Sequence, residues 1–310
     1  MTEEDTLNNK NEYYLEKGKK KINFLNNQTR YYIKKRKQFL KKMNISYQES
    51  KLITFQQKLN YLIIHESSFY KSQMADKILI HEYSKRILGK DICVPIIKTY
   101  DKAEEINLNE LPNKFVLKCN HGSKMNILCK NKTAFNITKA RIRLNRWMKI
   151  DYGMIHAEFQ YSYIRRKIFL APYLGDNIID YEFFCFNGQP KFVRVQKKLD
   201  EKEHIYLHNY YDLNWTLTDI ETGYLYYKRF PKIKIEKPKN LELMIDYSKK
   251  LSEEFAFIRV DFYDINYTIY LSELTFSPSN SLMTFKNKKQ SIYLGNLLDI
   301  SKIKPTLFNK

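Results

Sequence analysis

Glycine, proline and cysteine are scarce in this chain. Of 310 residues, 8 are glycine, 8 are proline and 4 are cysteine. The cysteines are Cys93, Cys119, Cys129 and Cys185. They form no C-x-x-C pair, and each lies in an apolar or strand-like context. This favours buried free thiols of a reducing compartment over a disulfide or zinc framework.

The sequence also lacks long apolar runs and several familiar catalytic signatures. No apolar run approaches the length of a membrane span, and the acidic, polar start MTEEDTLNNKNEYY is unlike the basic-then-apolar start of a signal peptide. We therefore expect a cytoplasmic protein that contacts a membrane at most peripherally, at its inner face. No D-x-D motif occurs, which argues against a glycosyltransferase, and spacing alone indicates no Ser-His-Asp or Cys-His arrangement.

What the sequence has in excess is positive charge. The formal net charge is +20, and the segment from Lys17 to Lys42 holds 11 lysines or arginines and no acid. Aromatic and aliphatic residues interrupt this run, which predicts an amphipathic helix. Such a helix suits anionic lipid, a polyanionic glycan or, least favoured, nucleic acid. A solvated basic arm is the alternative. With 43% hydrophobic residues, the rest of the chain is expected to fold into two or three lobes.

Two carboxylates stand out in a β-rich stretch over residues 257–279. Asp261 lies in the first run of this stretch and Glu273 in the second, so a hairpin would place both beside a divalent metal. They face the same way only if paired residue numbers have an even sum, which requires an odd loop such as 264–266. Asn266 tolerates the left-handed backbone that such a loop needs. An ordinary edge hairpin with solvated charges is the alternative.

A polar turn separates two further strands. We predict strands over 115–119 and 126–129, joined by a turn over 120–124. Because glycine is scarce, Gly122 is expected where the turn needs it. The turn's amides, with Lys118 and Lys124 nearby, suit a phosphate, although on this pattern alone an ordinary hairpin turn is favoured.

Other patterns predict the remaining elements. Asn187-Gly188 between β-rich runs is a strong hairpin signal. Gly89 is expected to end a helix that begins near Met74, and a short strand is expected over 95–99. Apolar spacing predicts helices over 47–66, 137–150 and 241–255, with Ile142 among the buried residues of the second.

These motifs, in this order, resemble the TupA-like ATP-grasp proteins of bacterial surface-polysaccharide gene clusters. The stretches that carry the likeness are ADKILIHEYSKRILG, LPNKFVLKCNHGSKMN, DYEFFCFNGQPKFVRV, YDLNW and FIRVDFYDINYTIYLSELTFSPS. The likeness covers about residues 50 to 310. It implies an α+β ATP-grasp fold, in which two lobes with antiparallel sheets clasp ATP after a helical N-terminal region. The implied parts are a basic, helical arm (1–46), a pre-ATP-grasp region (47–112), a small lobe (113–174) and a large lobe with the metal hairpin (175–310).

The resemblance also implies roles for individual residues. Residues matching ATP-binding positions are Lys77, Lys118, the covering loop His121-Gly122-Ser123, the hinge residues Tyr173 and Leu174, and Asp180 for the ribose. Residues matching positions for Mg²⁺ are Asp261, Glu273 and Thr275. Arg259 and Lys118 match the catalytic cations beside the transferred phosphoryl group. Two departures weaken the match, because Ala171-Pro172 replace an acidic hinge residue and Thr275 replaces a metal-binding Asn.

The implied activity is an ATP- and Mg²⁺-dependent carboxylate–amine ligase. ATP would convert a carboxylate to an acyl phosphate, and an amine would displace phosphate to give an amide and ADP. The expected acceptor is a uronic acid of a polysaccharide precursor or sugar nucleotide, capsular or teichuronic in type, joined to an amino acid or amine. The alternatives are an inactive relative, a non-catalytic protein that binds anionic glycan or nucleic acid through the basic arm, and a glycosyltransferase of the same pathway.

Overall fold

The computed structural model describes residues 33–43, 45, 47–48, 50–176, 178–200, 205–223, 227–229 and 235–303. Most of the predicted basic arm, residues 1–32, lies outside the described residues. Residues 33–42 are helical (α1), so the described end of the arm agrees with the helix prediction. No helix of the described part is long and apolar enough to cross a membrane. All four cysteines are buried and free, as expected.

Three more helices precede the first sheet. They are α2 (Phe55–His65), α3 (Phe69–Ala75) and α4 (Ile80–Leu88). A capping box formed by Thr54 and Gln57 begins α2. The single helix predicted near Met74 is wrong, because the chain breaks at Asp76, whose carboxylate accepts from the Ile78 amide at 2.8 Å. The predicted end at Gly89 is confirmed by its left-handed φ of 71°.

A four-stranded antiparallel sheet follows. Its strands are β1 (Lys98–Tyr100), β2 (Phe115–Cys119), β3 (Asn126–Cys129) and β4 (Ile168–Pro172), in the order β1-β4-β2-β3. Helices α5 (Ile137–Lys149) and α6 (Tyr152–His156) lie between β3 and β4. The short strand predicted over 95–99 instead covers 98–100. Ile142 on α5 is 66% exposed, so its predicted burial is wrong; Ala140 and Leu144 are the helix's buried residues.

The second sheet has six strands. They are β5 (Ile179–Phe186), β6 (Gln189–Asp200), β7 (Ile205–Tyr211), β8 (Tyr227–Arg229), β9 (Phe257–Ile265) and β10 (Thr268–Thr275), in the order β10-β9-β5-β6-β7-β8. Among the strand pairs described in this sheet, β7–β8 alone is parallel. Asn187 and Gly188 both have positive φ (48° and 76°), as a type I′ turn requires, so this hairpin prediction is confirmed. Two sheets with packed helices confirm the α+β class.

The two faces of the second sheet are covered differently. One face packs on α7 (Leu241–Ser252) and α4 through a continuous apolar cluster that includes Phe183, Val260 and Phe262. The other face is aromatic at one end, where α2 and α8 (Lys288–Leu297) cover it. The remainder of that face carries charged side chains. Of the described helices, α2 and α8 thus cover the apolar half of this face, and its charged half faces the candidate site.

We predict that Phe55→Ala lowers the free energy of unfolding by about 3–5 kcal/mol, the usual cost of a cavity left by a core phenylalanine. Phe55 has no exposed area, and its ring centroid lies 5.1 Å from that of Phe257 and 5.5 Å from that of Phe186. Urea unfolding measures the change. Ile142→Ala, at an exposed helix position, is the control and should stay within about 0.5 kcal/mol. Equal losses in the two variants would contradict this account of the core.

Candidate active site

The β9–β10 hairpin has a different loop from the one predicted, but it places Asp261 and Glu273 on the same face, as predicted. Its loop is the two-residue turn Asn266-Tyr267, with φ of 50° and 64°, so the predicted loop 264–266 is wrong. The register then shifts between Leu271 and Glu273, which leaves Ser272 as the extra residue of a β-bulge and pairs Glu273 with Asp261. Directly paired residues face the same way. The expectation that the two carboxylates share a face is therefore confirmed, through a bulge rather than an odd loop.

A row of charged side chains crosses four strands at this level. Glu273 pairs with Asp261, Asp261 with Glu182, and Glu182 with Arg194. Arg259 grips Asp261 with two hydrogen bonds, from Nε to Oδ1 at 2.7 Å and from Nη2 to Oδ2 at 2.5 Å. Its Nη2 also lies 3.5 Å from Glu182, to which Arg194 Nε donates a second, shorter bond. These hydrogen bonds and ion pairs fix the charged groups of the row in the absence of a ligand.

Burial and crowding set the charge of these carboxyl groups. Burial raises the pKa of Asp261 to about 7, since the attraction of Arg259 is opposed by Glu182 and Glu273. Burial also raises the pKa of Asp180 well above its usual value, with Glu182 and Asp261 adding to the shift. Burial acts the same way on Glu182, but Arg194 and Arg259 outweigh it and hold that pKa below its usual value. Crowded, buried carboxyl groups of this kind are expected at a cation site.

Two lysines lie opposite this row. Lys77 follows α3, and its ammonium donates to Glu273 Oε1 at 3.2 Å and to the Gly122 carbonyl at 3.0 Å. Lys77 therefore links the first sheet's turn to the hairpin of the second. Lys118 is half-buried on β2, and burial followed by repulsion from Lys77 lowers its pKa. Among the described residues its ammonium has no hydrogen-bond or ion-pair partner. Two neighbouring ammonium groups suit an anion.

Asp76, just before Lys77, connects the end of α3 to the start of the polar turn. It is buried, and it accepts from Asn120 Nδ2 at 2.9 Å as well as from Ile78. Burial raises its pKa to about 6 despite these bonds. Asn120 also accepts from the Lys167 amide at 2.8 Å. The start of the polar turn is thereby tied to both α3 and β4.

The turn at 121–123 is packed tightly. His121 is buried, its Nε2 lies 3.1 Å from the Trp147 carbonyl, and burial lowers its pKa to about 4. The ring is therefore neutral, and its Nε2–H donates to the Trp147 carbonyl near the end of α5. A Cβ on Gly122 would lie 2.8 Å from the Tyr152 ring, so close packing, not a positive φ, requires glycine here. Ser123 hydrogen-bonds Tyr152.

The hinge residues lie on the connection between the sheets. Tyr173 and Leu174 follow β4 directly, and Asp180 lies near the start of β5 opposite Tyr263. Thr275 is buried at the end of β10, where its Oγ1 lies 3.3 Å from Arg259 Nη2. The structure thus brings the two lysines, the two predicted carboxylates, Arg259 and Thr275 to one region.

With this geometry established, comparison with known proteins identifies the family. The model for TupA-like ATPgrasp proteins matches residues 57–299. The chain belongs to the TupA-like ATP-grasp family. No curated protein matches the chain.

Solved structures give weaker similarities. D-Alanine–D-alanine ligase from Helicobacter pylori is 18% identical, with 73% of this chain and 61% of that chain covered and a TM-score of 0.38. D-Alanyl-alanine synthetase A from Vibrio cholerae is 12% identical, with 73% and 65% covered and a TM-score of 0.41. N5-Carboxyaminoimidazole synthetase from Staphylococcus aureus, complexed with ADP, is 15% identical, with 67% and 46% covered and a TM-score of 0.37. The chain spans less than two thirds of each, and no residue role is transferred from them.

Sequence reasoning missed several residues of this family member's site. Glu182 and Arg194 lie in apolar strands, on the same face as Asp180. A charged residue within an apolar strand could have indicated a buried, paired site. Glu158 gave no signal. It is buried beside the end of β10, where the Ser277 hydroxyl donates to it and Gln160 donates to that hydroxyl at 3.0 Å.

A second group of potential metal ligands lies outside this site. His81, Asp91 and Cys93 offer ligand atoms within 4.8 Å of one another. His81 Nδ1 is hydrogen-bonded to Asp91 Oδ2 at 2.8 Å, and Asp91 Oδ1 accepts from the Cys93 amide at 3.0 Å. Burial raises the pKa of the Cys93 thiol far above its usual value. A protonated thiol beside a hydrogen-bonded pair favours a structural cluster over a metal site.

We predict that Glu158→Gln flattens the pH dependence of stability. Burial raises the pKa of Glu158 from 4.5 to about 7 in the folded protein. The folded state therefore binds more protons than the unfolded state between these values, and the stability that this carboxyl contributes is lost as pH rises through 7. The advantage of Glu158→Gln over wild type should grow by up to about 3 kcal/mol from pH 4 to pH 8.

Urea unfolding of both proteins across this range measures the effect. Glu253→Gln, at an exposed position, is the control and should run parallel to wild type. Parallel curves for Glu158→Gln and wild type would show that Glu158 does not titrate as described.

Proposed function

We propose that the protein is an ATP- and Mg²⁺-dependent ligase that joins a carboxylate to an amine. The observation that carries the proposal is the Lys77–Lys118 pair facing the Asp261–Glu273 pair. The cations come from Lys77 after α3 and Lys118 on β2, and the oxygen ligands come from β9 and β10 of the second sheet. Membership of the ATP-grasp family supports the same activity.

The donor set fits Mg²⁺. Carboxylate and hydroxyl oxygens from Asp261, Glu273 and Thr275 are hard ligands of the kind that Mg²⁺ takes, together with substrate phosphates. Arg259 and Lys77 engage these carboxylates, yet each carboxylate oxygen has a further lone pair. When bound, Mg²⁺ would neutralise charge on the transferred phosphoryl group. Thr275 offers the weakest of the three ligands, in agreement with its replacement of Asn.

The cationic side chains have separable roles in this proposal. Lys77 and Lys118 bind ATP phosphates, because their ammonium groups are close together and Lys118 has no hydrogen-bond or ion-pair partner in the described part of the chain. Arg259 is held between Asp261 and Glu182, so its guanidinium is preorganised toward developing charge. Phosphoryl transfer to the carboxylate gives an acyl phosphate and ADP. Attack by the amine then forms the C–N bond, expels phosphate and releases the amine's proton.

The nucleotide would lie along the connection between the sheets. Tyr173 and Leu174 supply backbone groups for adenine, and the Asp180 carboxylate accepts from ribose hydroxyls. In the turn 121–123 the backbone amides, rather than the His121 ring, would meet the phosphates, because that ring already donates to Trp147. Ala171-Pro172 offer no acidic partner for adenine, which predicts weak base selectivity.

For the acceptor we propose a uronic acid of a cell-surface polysaccharide precursor, joined to an amino acid or amine. The net charge of +20 suits acidic sugars. Exposed cations on α1, such as Lys34, Lys41 and Lys42, suit peripheral contact with an anionic membrane at its inner face. Nucleic acid is the least favoured partner.

We predict that Lys118→Ala weakens ATP binding in the presence of Mg²⁺ by at least about tenfold, because a charge-assisted bond to phosphate contributes about 1.5–3 kcal/mol. Isothermal titration calorimetry measures the Kd. Lys98→Ala is the matched control, since Lys98 lies on the same sheet but is exposed and pairs with Glu110 on the surface. Wild-type protein that binds no ATP at millimolar concentration would refute the site.

We predict that Glu273→Gln reduces ADP release by about 10²-fold or more, because it removes a metal ligand's charge without changing its shape. The assay uses Mg²⁺, ATP, glucuronate and an amino acid, with ADP measured by a coupled enzyme. Asp246→Asn, at a half-buried helix position whose carboxylate pairs with Lys250, should leave the rate unchanged. Equal rates for Glu273→Gln and Asp246→Asn would remove Glu273 from the catalytic site.

A further inference from the structure

Arg36 is wholly buried in a helix on which Lys34, Lys37, Lys41 and Lys42 are exposed. Its exposed fraction is 0%. Leu40, one turn later, is 1% exposed. Residues four apart share a helix face, so Arg36 and Leu40 together seat α1 on the body of the protein.

The Arg36 guanidinium makes five hydrogen bonds to three separate segments. Nε and Nη2 donate to Asn60 Oδ1 at 2.9 and 2.7 Å, and Nη1 donates to the His156 carbonyl at 3.2 Å. Nη1 and Nη2 also donate to the side-chain and backbone oxygens of Asn280 at 2.6 and 2.7 Å. Every acceptor is neutral. A buried cation with neutral acceptors carries a large desolvation cost, so simple packing does not account for arginine here.

The segment that Arg36 holds has an unusual backbone. Ser279, Asn280 and Ser281 have φ of 50°, 56° and 52°. Three successive non-glycine residues in the left-handed region cost free energy that surrounding contacts must offset. Arg36 binds the Asn280 carbonyl, and Asn60 Nδ2 binds the Ser281 carbonyl at 3.0 Å. The turn therefore depends on the Arg36–Asn60 pair.

This turn directly follows the hairpin of the candidate site. Thr275 ends β10, and Ser277, two residues later, is fixed by Glu158 and Gln160. Only Pro278 then separates Ser277 from the left-handed turn. The bonds at Ser277 and the turn 279–281 therefore fix the end of β10 together, and loss of either would loosen it.

We propose that Arg36 is a positioning residue for the candidate active site: it holds the turn 279–281 in its left-handed form and so fixes the end of β10 that carries Glu273 and Thr275. The inference rests on the proposed function for what that end of β10 does. The basic N-terminal helix is then part of the catalytic apparatus through its inner face, whatever its outer face binds.

The test compares Arg36→Ala with Leu40→Ala, which removes packing from the same helix face but no hydrogen bond of the turn. Amide hydrogen exchange over residues 277–282 measures the turn. The Kd for ATP, with Mg²⁺ and with EDTA, measures the metal end of the site. In Arg36→Ala we expect exchange at least about tenfold faster. We also expect loss of most of the Mg²⁺-dependent gain in ATP affinity, with the EDTA value within about twofold of wild type.

Leu40→Ala should leave both measurements near wild type even if its midpoint of unfolding falls. Guanidinium ion at sub-denaturing concentration should partly restore the exchange rate and the ATP affinity of Arg36→Ala. It should change neither quantity in wild type or in Leu40→Ala. If Arg36→Ala does not fold, Asn60→Ala removes the shared acceptor and the bond to Ser281, and the same two changes are expected.

The outcomes separate the steps of the inference. Unchanged hydrogen exchange over residues 277–282 would show that Arg36 does not hold the turn 279–281. Faster exchange with an intact Mg²⁺-dependent gain would overturn the positioning role. Wild-type protein without ATP affinity would instead overturn the proposed function, and the positioning role with it, while the exchange data would still decide whether Arg36 holds the turn.

Discussion

Burial of paired charge on one face of the six-stranded sheet is the constraint on which the site depends. Arg259, Asp261, Glu182 and Arg194 form a network that is nearly neutral as a whole, with two guanidinium and two carboxylate groups. Loss of a single partner from such a network leaves an uncompensated buried charge at a cost of about 3–5 kcal/mol. The head groups are consequently fixed without a ligand. Preorganisation of this kind is what phosphoryl transfer requires of a protein.

The network also explains how the helices are distributed. Along β9, alternate residues on this face change from Phe257 to Arg259 and Asp261, so the face turns from aromatic to charged within one strand. Helices α2 and α8 cover the aromatic end, where burial is favourable. They cannot extend over the charged end without burying unpaired groups. The fold thus leaves that end to face the lysines beside the first sheet.

Local sequence signals predict most of the framework but not the register that builds the site. Asn187-Gly188 and the apolar spacing of α5 and α7 were sufficient because turn chemistry and helix periodicity are local. Both central hairpins, however, have two-residue turns followed by a one-residue bulge, in which Lys191 is the extra residue of one hairpin and Ser272 of the other. Each bulge reverses the parity of the pairing.

Without these bulges Arg194 would not oppose Glu182, and Glu273 would face the apolar core. The local sequence Leu271-Ser272-Glu273 contains no signal that predicts a bulge. Its support comes from elsewhere, since Leu271 pairs with Ile92 and Val94 through bonds of 2.8 and 3.2 Å. Arg36 was equally hidden, because a basic run is ordinarily solvated and only tertiary contacts distinguish one of its cations from the rest. Tertiary pairing, not propensity, decides such positions.

The Lys77–Glu273 pair affects whether nucleotide and metal bind to the proposed ligase separately or together. Lys77 and Glu273 neutralise each other between the sheets at 3.2 Å. A phosphate alone would draw Lys77 away and leave Glu273 without its cation, and a divalent metal alone would draw Glu273 away and leave Lys77 unpaired. When both arrive as a metal–nucleotide complex, each residue exchanges one partner for another of the same sign. Charge balance therefore favours joint binding of nucleotide and metal, and makes this pair the point at which the two halves of the site are coupled.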